Sequence, residues 1–231
     1  MIKLLALDLD GTLLNSRGQI TDENREAIVE AENAGVLVTI ATGRRFRDAR
    51  PVGLELDLNA PMITHNGALI KFAGSLESVA AEILDLETTR EIVSAGKRYG
   101  GDALVSADPL GKGSMLYDRV SDDNIPLQRY LAWSERLHGP EAAEAVLHVS
   151  DLHAALSDHE VIHISFSGGC EPMARLLEFL RRDLGDSVTI LPTVYPHLDF
   201  TLIDILPPNA SKGVGVERLA SIDNIGPENV M

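Results

Sequence analysis

Two carboxylates stand close together near the start of the chain. Asp8 and Asp10 belong to the segment Asp-Leu-Asp-Gly-Thr, which follows directly on an apolar run. In an extended chain alternate side chains point the same way, so both carboxylates lie on one side of the backbone. Two acids this close repel each other, and they need a cation, a shared proton or a bound positive group.

The chemistry that suits this pair is phosphoryl transfer with Mg²⁺, a cation that takes oxygen ligands, several waters and a substrate phosphate. One carboxylate can attack phosphorus, and the other can pass a proton to the leaving oxygen. A strand-end turn with two solvated acids explains the motif equally well. An EF-hand calcium loop does not, because its twelfth position needs Glu and here holds Gln19.

Three further short motifs carry groups that can hold a phosphate. Thr42-Gly43-Arg44 offers a hydroxyl and backbone N–H groups at a predicted helix start, and Ser211-Lys212-Gly213 offers a lysine at another. Asn66-Gly67-Ala68 follows a third strand-like run. Taken singly, these motifs also have ordinary structural explanations: a helix N-cap, a solvated lysine and a hairpin turn.

The elements that must position these residues alternate between strand and helix over the first part of the chain. Thr21 is a predicted N-cap, and apolar residues follow at helical spacing until Gly35. The order strand, helix, strand, helix, strand predicts a parallel sheet with right-handed crossovers. Ligands bind at the carboxyl ends of such strands, where the motifs stand. The predicted strands are Ile2–Leu9, Val36–Ala41 and Pro61–Thr64.

The pattern changes from about residue 84, where short strand-like pieces cluster. Thr88-x-x-Glu91 is a capping box that predicts a helix running to Tyr99. The clustered strands predict an antiparallel sheet with helices on one face, inserted into the first domain. Its predicted strands are Ala103–Ala107, Ser114–Tyr117, Val161–Phe166, Val188–Leu191 and Phe200–Leu206, and its further helices are Ile125–Leu137, Glu141–Val149 and Glu171–Leu184. Ser211 then caps a last helix, Lys212–Ala220.

Composition narrows the class of partner. The 231 residues carry 20 Lys and Arg against 35 Asp and Glu, a formal net charge of −15. A chain this acidic is a poor binder of nucleic acid, so the arginines between Arg44 and Arg50 indicate a solvated helix face or a phosphate-facing edge. No apolar run reaches the roughly 18 residues that cross a membrane. Cys170 is the single cysteine, so no internal disulfide forms, and we expect a cytoplasmic protein with a small phosphorylated metabolite as its partner.

Together, the four motifs resemble the haloacid dehalogenase superfamily of phosphotransferases, and more narrowly its Cof-type sugar-phosphatase branch. Asp8–Thr12, Thr42–Arg44, Asn66–Ala68 and Ser211–Gly213 match that family's motifs in order and spacing over essentially the whole chain. The resemblance implies an α/β fold, with a Rossmann-like core built on a parallel sheet and an inserted α/β cap. It places the core at residues 1–83 and 207–231 and the cap at residues 84–206.

The resemblance also implies a Mg²⁺-dependent phosphatase that acts on small phosphorylated metabolites through an aspartyl-phosphate. Asp8 would be the nucleophile and Asp10 the general acid and base, and both residues would ligate Mg²⁺, Asp10 through its carbonyl. The residues that would bind the phosphate are Thr42, Gly43, Asn66 and Lys212.

The chain departs from the family pattern at its end. The family carries a further acidic motif of the Gly-Asp-x-x-Asn-Asp type on a strand after the lysine helix, whereas this sequence stops at Glu228–Met231. We therefore expect a chain truncated before that motif, with a bare apolar edge on the first strand that a homodimer could cover. Asp204 and Asp223 are the candidates to replace the missing acids. A phosphomutase of the same superfamily, and a non-catalytic phosphometabolite binder or inactive fragment, remain alternatives.

Overall fold

The computed structural model describes residues 1–231. They form two compact units, which we call the core unit (Met1–Ala81 with Ala210–Met231) and the inserted unit (Glu82–Asn209). In chain order the elements are β1 (Leu4–Leu7), α1 (Asp22–Asn33), β2 (Leu37–Ile40), α2 (Phe46–Leu56), β3 (Met62–Thr64), β4 (Leu69–Lys71), β5 (Ser78–Ala81), α3 (Leu86–Arg98), β6 (Asp102–Ala107), β7 (Ser114–Tyr117), α4 (Ile125–His138), α5 (Ala142–Ala145), β8 (Val146–His148), α6 (Leu152–Ala155), β9 (Val161–Gly168), α7 (Cys170–Leu184), β10 (Thr189–Tyr195), β11 (Phe200–Leu206) and α8 (Lys212–Ile222).

The sheet of the core unit is parallel around β1, which confirms the predicted α/β class. β1 pairs with β2 in parallel, and a parallel bridge between Ala41 and Ile63 carries the order on to β3. The strands β3, β4 and β5 continue as an antiparallel meander. The carboxyl ends of β1, β2 and β3 therefore share one edge of the sheet, where the first three motifs follow them.

Both faces of β1 are covered, which explains why its residues are apolar without alternation. Leu4 is fully buried in a cluster with Ile63 and Leu219, so this face packs against α8. Leu5 and Leu7 point the other way and pack against a second cluster that contains buried residues of β2. The strand that carries the acidic motif is thus held from both sides.

The edge of β1 is occupied, so the prediction of a bare apolar edge is wrong. The Lys3 N–H donates to the Asn229 carbonyl at 2.8 Å, the Met231 N–H donates to the Leu4 carbonyl at 2.9 Å, and the Ala6 N–H donates to the Met231 carbonyl at 2.8 Å. The residues after α8 turn back and run parallel to β1. A homodimer was predicted as a way to cover a bare edge of β1, and this edge is already bonded within the chain.

The inserted unit is built on a six-stranded sheet in the order β10-β11-β9-β6-β7-β8, antiparallel except for the pair β7 and β8. Residues of α3 and α7 pack with Val105 and Phe166 in one buried cluster. Leu104 lies in a different cluster with Leu127 of α4. Adjacent residues of β6 point to opposite faces, so helices cover part of both faces, and the prediction of helices on one face only is wrong.

Two predicted helices of the inserted unit begin or end elsewhere. The N-cap of α3 is Asp85, three residues before Thr88 of the predicted capping box, because the Asp85 carboxylate accepts the Thr88 N–H at 2.9 Å. The predicted helix over residues 141–149 keeps only the short α5. Val146–His148 instead form β8, because they pair in parallel with β7.

The arginines after Thr42 do not form a solvated helix face. Arg45 and Arg47 are buried, and the Arg45 guanidinium donates two hydrogen bonds of 2.9 Å to the Asp48 carboxylate. Arg50 donates from Nε to the Ala73 carbonyl at 2.8 Å. Arg45 therefore stabilises the first turn of α2, and Arg50 ties the helix to the loop after β4. None of the helices combines the length and the apolar character that a membrane span requires.

Candidate active site

The acidic motif forms a tight turn at the carboxyl end of β1. Leu9 is fully buried, whereas the side chains of Asp8 and Asp10 are 40% and 63% exposed. This places the two carboxylates away from the core, as the alternation of the sequence predicts. Gly11 continues the turn with φ +75°, a conformation that residues with a side chain rarely adopt.

Lys212 reaches the acidic motif from the far end of the sequence. Its Nζ lies 2.9 Å from Asp8 Oδ2, and the other carboxylate oxygen, Oδ1, accepts the Leu9 N–H at 2.8 Å. Ser211 caps α8 by accepting the Val214 N–H at 3.1 Å, as predicted, so Lys212 stands at a helix N-terminus. The lysine charge and the positive end of the helix dipole therefore both favour a negative group at the start of α8, where Asp8 lies.

Arg44 holds the second carboxylate. Its Nη2 lies 2.6 Å from Asp10 Oδ1 and its Nε lies 2.9 Å from Asp10 Oδ2. This is a two-pronged pair in which each carboxylate oxygen accepts one N–H. The two acids of the motif therefore have different cationic partners, drawn from α8 and from the turn after β2.

The turn after β2 also packs against the turn after β3, beside these ion pairs. Thr42 is buried and its hydroxyl accepts the Arg44 N–H at 3.1 Å, while its carbonyl accepts the Asn66 N–H at 3.1 Å. A Cβ at Gly43 would stand 2.9 Å from Asn66 Oδ1, so a larger residue there would displace the asparagine side chain. The predicted phosphate-binding residues Thr42, Gly43 and Asn66 are thus neighbours.

Two glycines allow α8 to pack closely against β3 and the turn that follows it. Gly67 has φ +98°, and a Cβ on it would lie 2.0 Å from the Ser211 carbonyl oxygen. A Cβ on Gly215 would lie 2.5 Å from Ile63 Cγ2 and 3.1 Å from the Gly67 Cα. Because backbone and side chains approach this closely, the start of α8 is placed by β3 and its turn. All four motifs therefore meet at one edge of the core unit.

A metal ion at this site would find two carboxylates. Across residues 1–231 no group of three or more His, Cys, Asp and Glu side chains is placed to hold a metal ion. Asp8 nevertheless keeps lone pairs that neither Lys212 nor the Leu9 amide uses. One or two carboxylates, completed by water and a substrate phosphate, are a donor set that Mg²⁺ accepts. The residues present therefore fit Mg²⁺ together with a phosphate ligand.

The two acids considered as replacements have other surroundings. Asp204 lies on β11 of the inserted unit, where its Oδ1 is 3.0 Å from His163 Nε2 and accepts the Ser165 hydroxyl at 2.7 Å. Burial raises the pKa of Asp204, but the charge of His163 and these hydrogen bonds outweigh it and leave the pKa lowered. Asp223 follows the last turn of α8, about 16 Å along the axis from Lys212. It therefore stands at the opposite end of that helix from Asp8.

The roles of two supporting residues were not predicted from the sequence. Arg44 was part of a motif, but its pairing with Asp10 depends on how β1 and β2 align. His65 is buried with φ +51°, and its Nε2 accepts the Phe46 N–H at 3.1 Å, which satisfies an amide at the start of α2. The position of Arg44 directly after Thr-Gly is a signal that could have indicated its role. No local pattern marks His65.

Comparison with known proteins agrees with this geometry. A family model described as haloacid dehalogenase-like hydrolase matches residues 5–231. Among solved structures, a haloacid dehalogenase-like hydrolase from Bacteroides thetaiotaomicron superposes with a TM-score of 0.79 at 20% identity, over 100% of this chain and 80% of that chain. A likeness at this identity supports the fold.

Curated relatives match parts of the chain more closely. The 5-amino-6-(5-phospho-D-ribitylamino)uracil phosphatase YcsE of Bacillus subtilis (strain 168) is 52% identical over 69 residues, 30% of this chain. A second 5-amino-6-(5-phospho-D-ribitylamino)uracil phosphatase of the same strain, YwtE, is 44% identical over 124 residues, 54% of this chain. The matched segments span 28% and 37% of the length of these two relatives. Since the family model covers nearly all of the sequence, the chain belongs to the haloacid dehalogenase-like hydrolases.

Proposed function

We propose that this chain is a Mg²⁺-dependent phosphatase that hydrolyses small phosphorylated metabolites through an aspartyl-phosphate on Asp8. The observation that carries the proposal is the ion pair of 2.9 Å between Asp8 and Lys212 at the edge where four motifs meet. A carboxylate whose negative charge is balanced by a fixed lysine suits the attack on a phosphate that is itself negative. A phosphatase role also agrees with the names of the relatives.

In the first step an Asp8 oxygen forms a bond to phosphorus while the bond from phosphorus to the leaving oxygen breaks. The leaving oxygen keeps the electron pair of that bond and takes a proton from Asp10. Thr42, the Gly43 amide, Asn66 and Lys212 would hold the phosphoryl oxygens. Hydroxyl, amide and ammonium donors of this kind stabilise the charge that develops on those oxygens.

In the second step water attacks the phosphorus of the aspartyl-phosphate. Asp10, now a carboxylate, takes a proton from that water, and the bond between Asp8 and phosphorus breaks to release inorganic phosphate. Both aspartates return to their starting state. If a sugar hydroxyl replaced the water, the same residues would make a phosphomutase.

Mg²⁺ would be held by the Asp8 carboxylate and the Asp10 carbonyl, and when bound it would neutralise phosphate charge. The relatives support a substrate class, since the names of two of them give a substrate with a phosphorylated ribityl group. We therefore propose phosphomonoesters of sugars and polyols. We also propose a cytoplasmic location, since the single Cys170 leaves no internal disulfide to protect.

The test is phosphate release from an aryl phosphate and from a panel of sugar and ribityl phosphates, with Mg²⁺ and with EDTA. Asp8→Asn removes the nucleophile and keeps the shape of the side chain, so we expect turnover to vanish while the circular dichroism spectrum stays the same. Asp223→Asn is the matched control, because that aspartate is exposed at the far end of α8.

Each outcome has a distinct meaning. Turnover that requires both Mg²⁺ and Asp8 supports the phosphatase, and phosphate transferred to an added sugar instead of water supports the phosphomutase. A folded chain that binds a sugar phosphate without turnover supports the non-catalytic binder. Equal activity of the wild type and Asp8→Asn would refute the nucleophile.

A further inference from the structure

The pairing of Asp10 with Arg44 has a consequence for proton transfer. Both Asp10 oxygens accept an N–H from the same guanidinium, at 2.6 and 2.9 Å, and the Asp10 side chain is 63% exposed. A fork of this kind fixes the plane of the carboxylate as well as its position. An exposed aspartate without such a partner would rotate freely about its side-chain bonds.

The backbone of Arg44 is itself held on both sides. Its N–H donates to the Thr42 hydroxyl at 3.1 Å, and its carbonyl accepts the His65 N–H at 2.9 Å. The guanidinium therefore projects from a turn that is tied both to the end of β2 and to the turn after β3. Only a quarter of the Arg44 side chain is exposed, which limits the positions that the fork can take.

From this geometry we infer that Arg44 is a positioning residue for proton transfer by Asp10, a role that rests on the proposed function. Arg44 orients the carboxylate for the leaving oxygen. The guanidinium holds the carboxylate by both oxygens, so the plane of the group is fixed before a substrate binds.

The test uses the dependence on the leaving group. A sugar or other alkyl phosphate needs a proton on its poor leaving oxygen, whereas 2,4-dinitrophenyl phosphate leaves without one. We expect Arg44→Ala to slow the first turnover of the alkyl phosphate about 10²-fold, the lower end of what a general acid contributes. We expect at most a tenfold loss on the dinitrophenyl ester. A loss of phosphate binding or of folding would affect both substrates alike, and that result would overturn the assignment.

Matched variants sharpen the test. Arg25→Ala removes a surface ion pair of 2.6 Å with Glu55 in the same unit, and we expect it to leave the turnover rate of both substrates unchanged. Arg44→Lys keeps the charge but not the fork, so we expect it to restore less than half of the lost rate. In the double variant with Asp10→Asn, the effect of Arg44→Ala on the alkyl phosphate should disappear, and full additivity would refute the coupling.

A readout without turnover separates this inference from the proposed function. In the ¹H–¹⁵N spectrum of the substrate-free chain, we expect the Arg44 Nε–H signal to be protected from exchange with water and to lose that protection in Asp10→Asn. An unchanged signal would overturn the pairing whatever the activity. A protected signal in a chain without Asp8-dependent turnover would leave the ion pair standing but refute its role in proton transfer, because the proposed function itself would have failed.

Discussion

The close packing of α8 against β3 leads to a prediction that two glycines of α8 can test. Gly215 and Gly213 stand two residues apart in the first turns of α8. A Cβ at Gly215 would lie 2.5 Å from Ile63 Cγ2, well inside van der Waals contact, and Ile63 is fully buried. A Cβ at Gly213 would meet nothing nearer than the Ser211 Oγ at 3.8 Å.

The magnitude follows from the comparison of the two alanine variants. Alanine gains about 0.5–1 kcal/mol over glycine within a helix, and this gain is common to both sites, so it cancels in the difference. Only Gly215→Ala carries the cost of overpacking, about 1–3 kcal/mol. We therefore expect Gly215→Ala to be about 1–3 kcal/mol less stable than Gly213→Ala.

Urea unfolding followed by circular dichroism measures this difference. Hydrogen exchange measures it locally, since about 1–3 kcal/mol corresponds to roughly 5- to 150-fold faster exchange of the α8 amides where local opening limits exchange. Relief of the clash moves α8 away from β3, and Lys212 lies on that helix. Turnover should therefore fall in Gly215→Ala at temperatures where the chain is still folded. Equal stability and equal exchange in both variants would refute the idea that close packing at Gly215 places the helix.

Two further outcomes are expected. Lys212→Ala should lower kcat/KM for a sugar phosphate about 10²-fold, because it removes a donor to the phosphoryl group and the partner of Asp8, while Lys112→Ala, a surface lysine of the inserted unit, should have no effect. The folded-state pKa of Asp204 is lowered, so its stabilisation is complete above the unfolded-state pKa of about 3.9 and is lost as the pH falls through the folded value. Asp204→Asn should therefore weaken the inserted unit near neutral pH and flatten its acid dependence, measured by the fluorescence of Trp133. An acid transition as steep as that of the wild type would contradict this assignment.

Local features of the core unit could be predicted from the sequence because the interactions that produce them are local. Thr21 caps α1 and Ser211 caps α8 through a hydroxyl that accepts an amide three residues ahead. The apolar run before Asp8 and the β-branched run before Thr42 form the predicted parallel pair. In the inserted unit, local patterns placed most strands but failed where two caps compete, as at Asp85 and Thr88.

Features that depend on distant segments were decided by the tertiary structure. The sequence indicates Asp8 and Lys212 as candidates, but they meet only because α8 packs on β3 and its turn. The pairing of Arg44 with Asp10 depends likewise on the parallel register of β1 and β2.

Two further features, the bonded edge of β1 and the packing of helices on both faces of β6, could not be predicted from the sequence for the same reason. Whether the residues after α8 bond to β1, and whether α4 packs on Leu104, depends on which surfaces remain to be covered once the sheets have formed. Composition and spacing therefore determined which residues can do the chemistry. The packing of strands and helices far apart in the chain decided which of those residues touch, because a contact between distant segments is set by shape and hydrogen-bond register and not by the residues on either side of it.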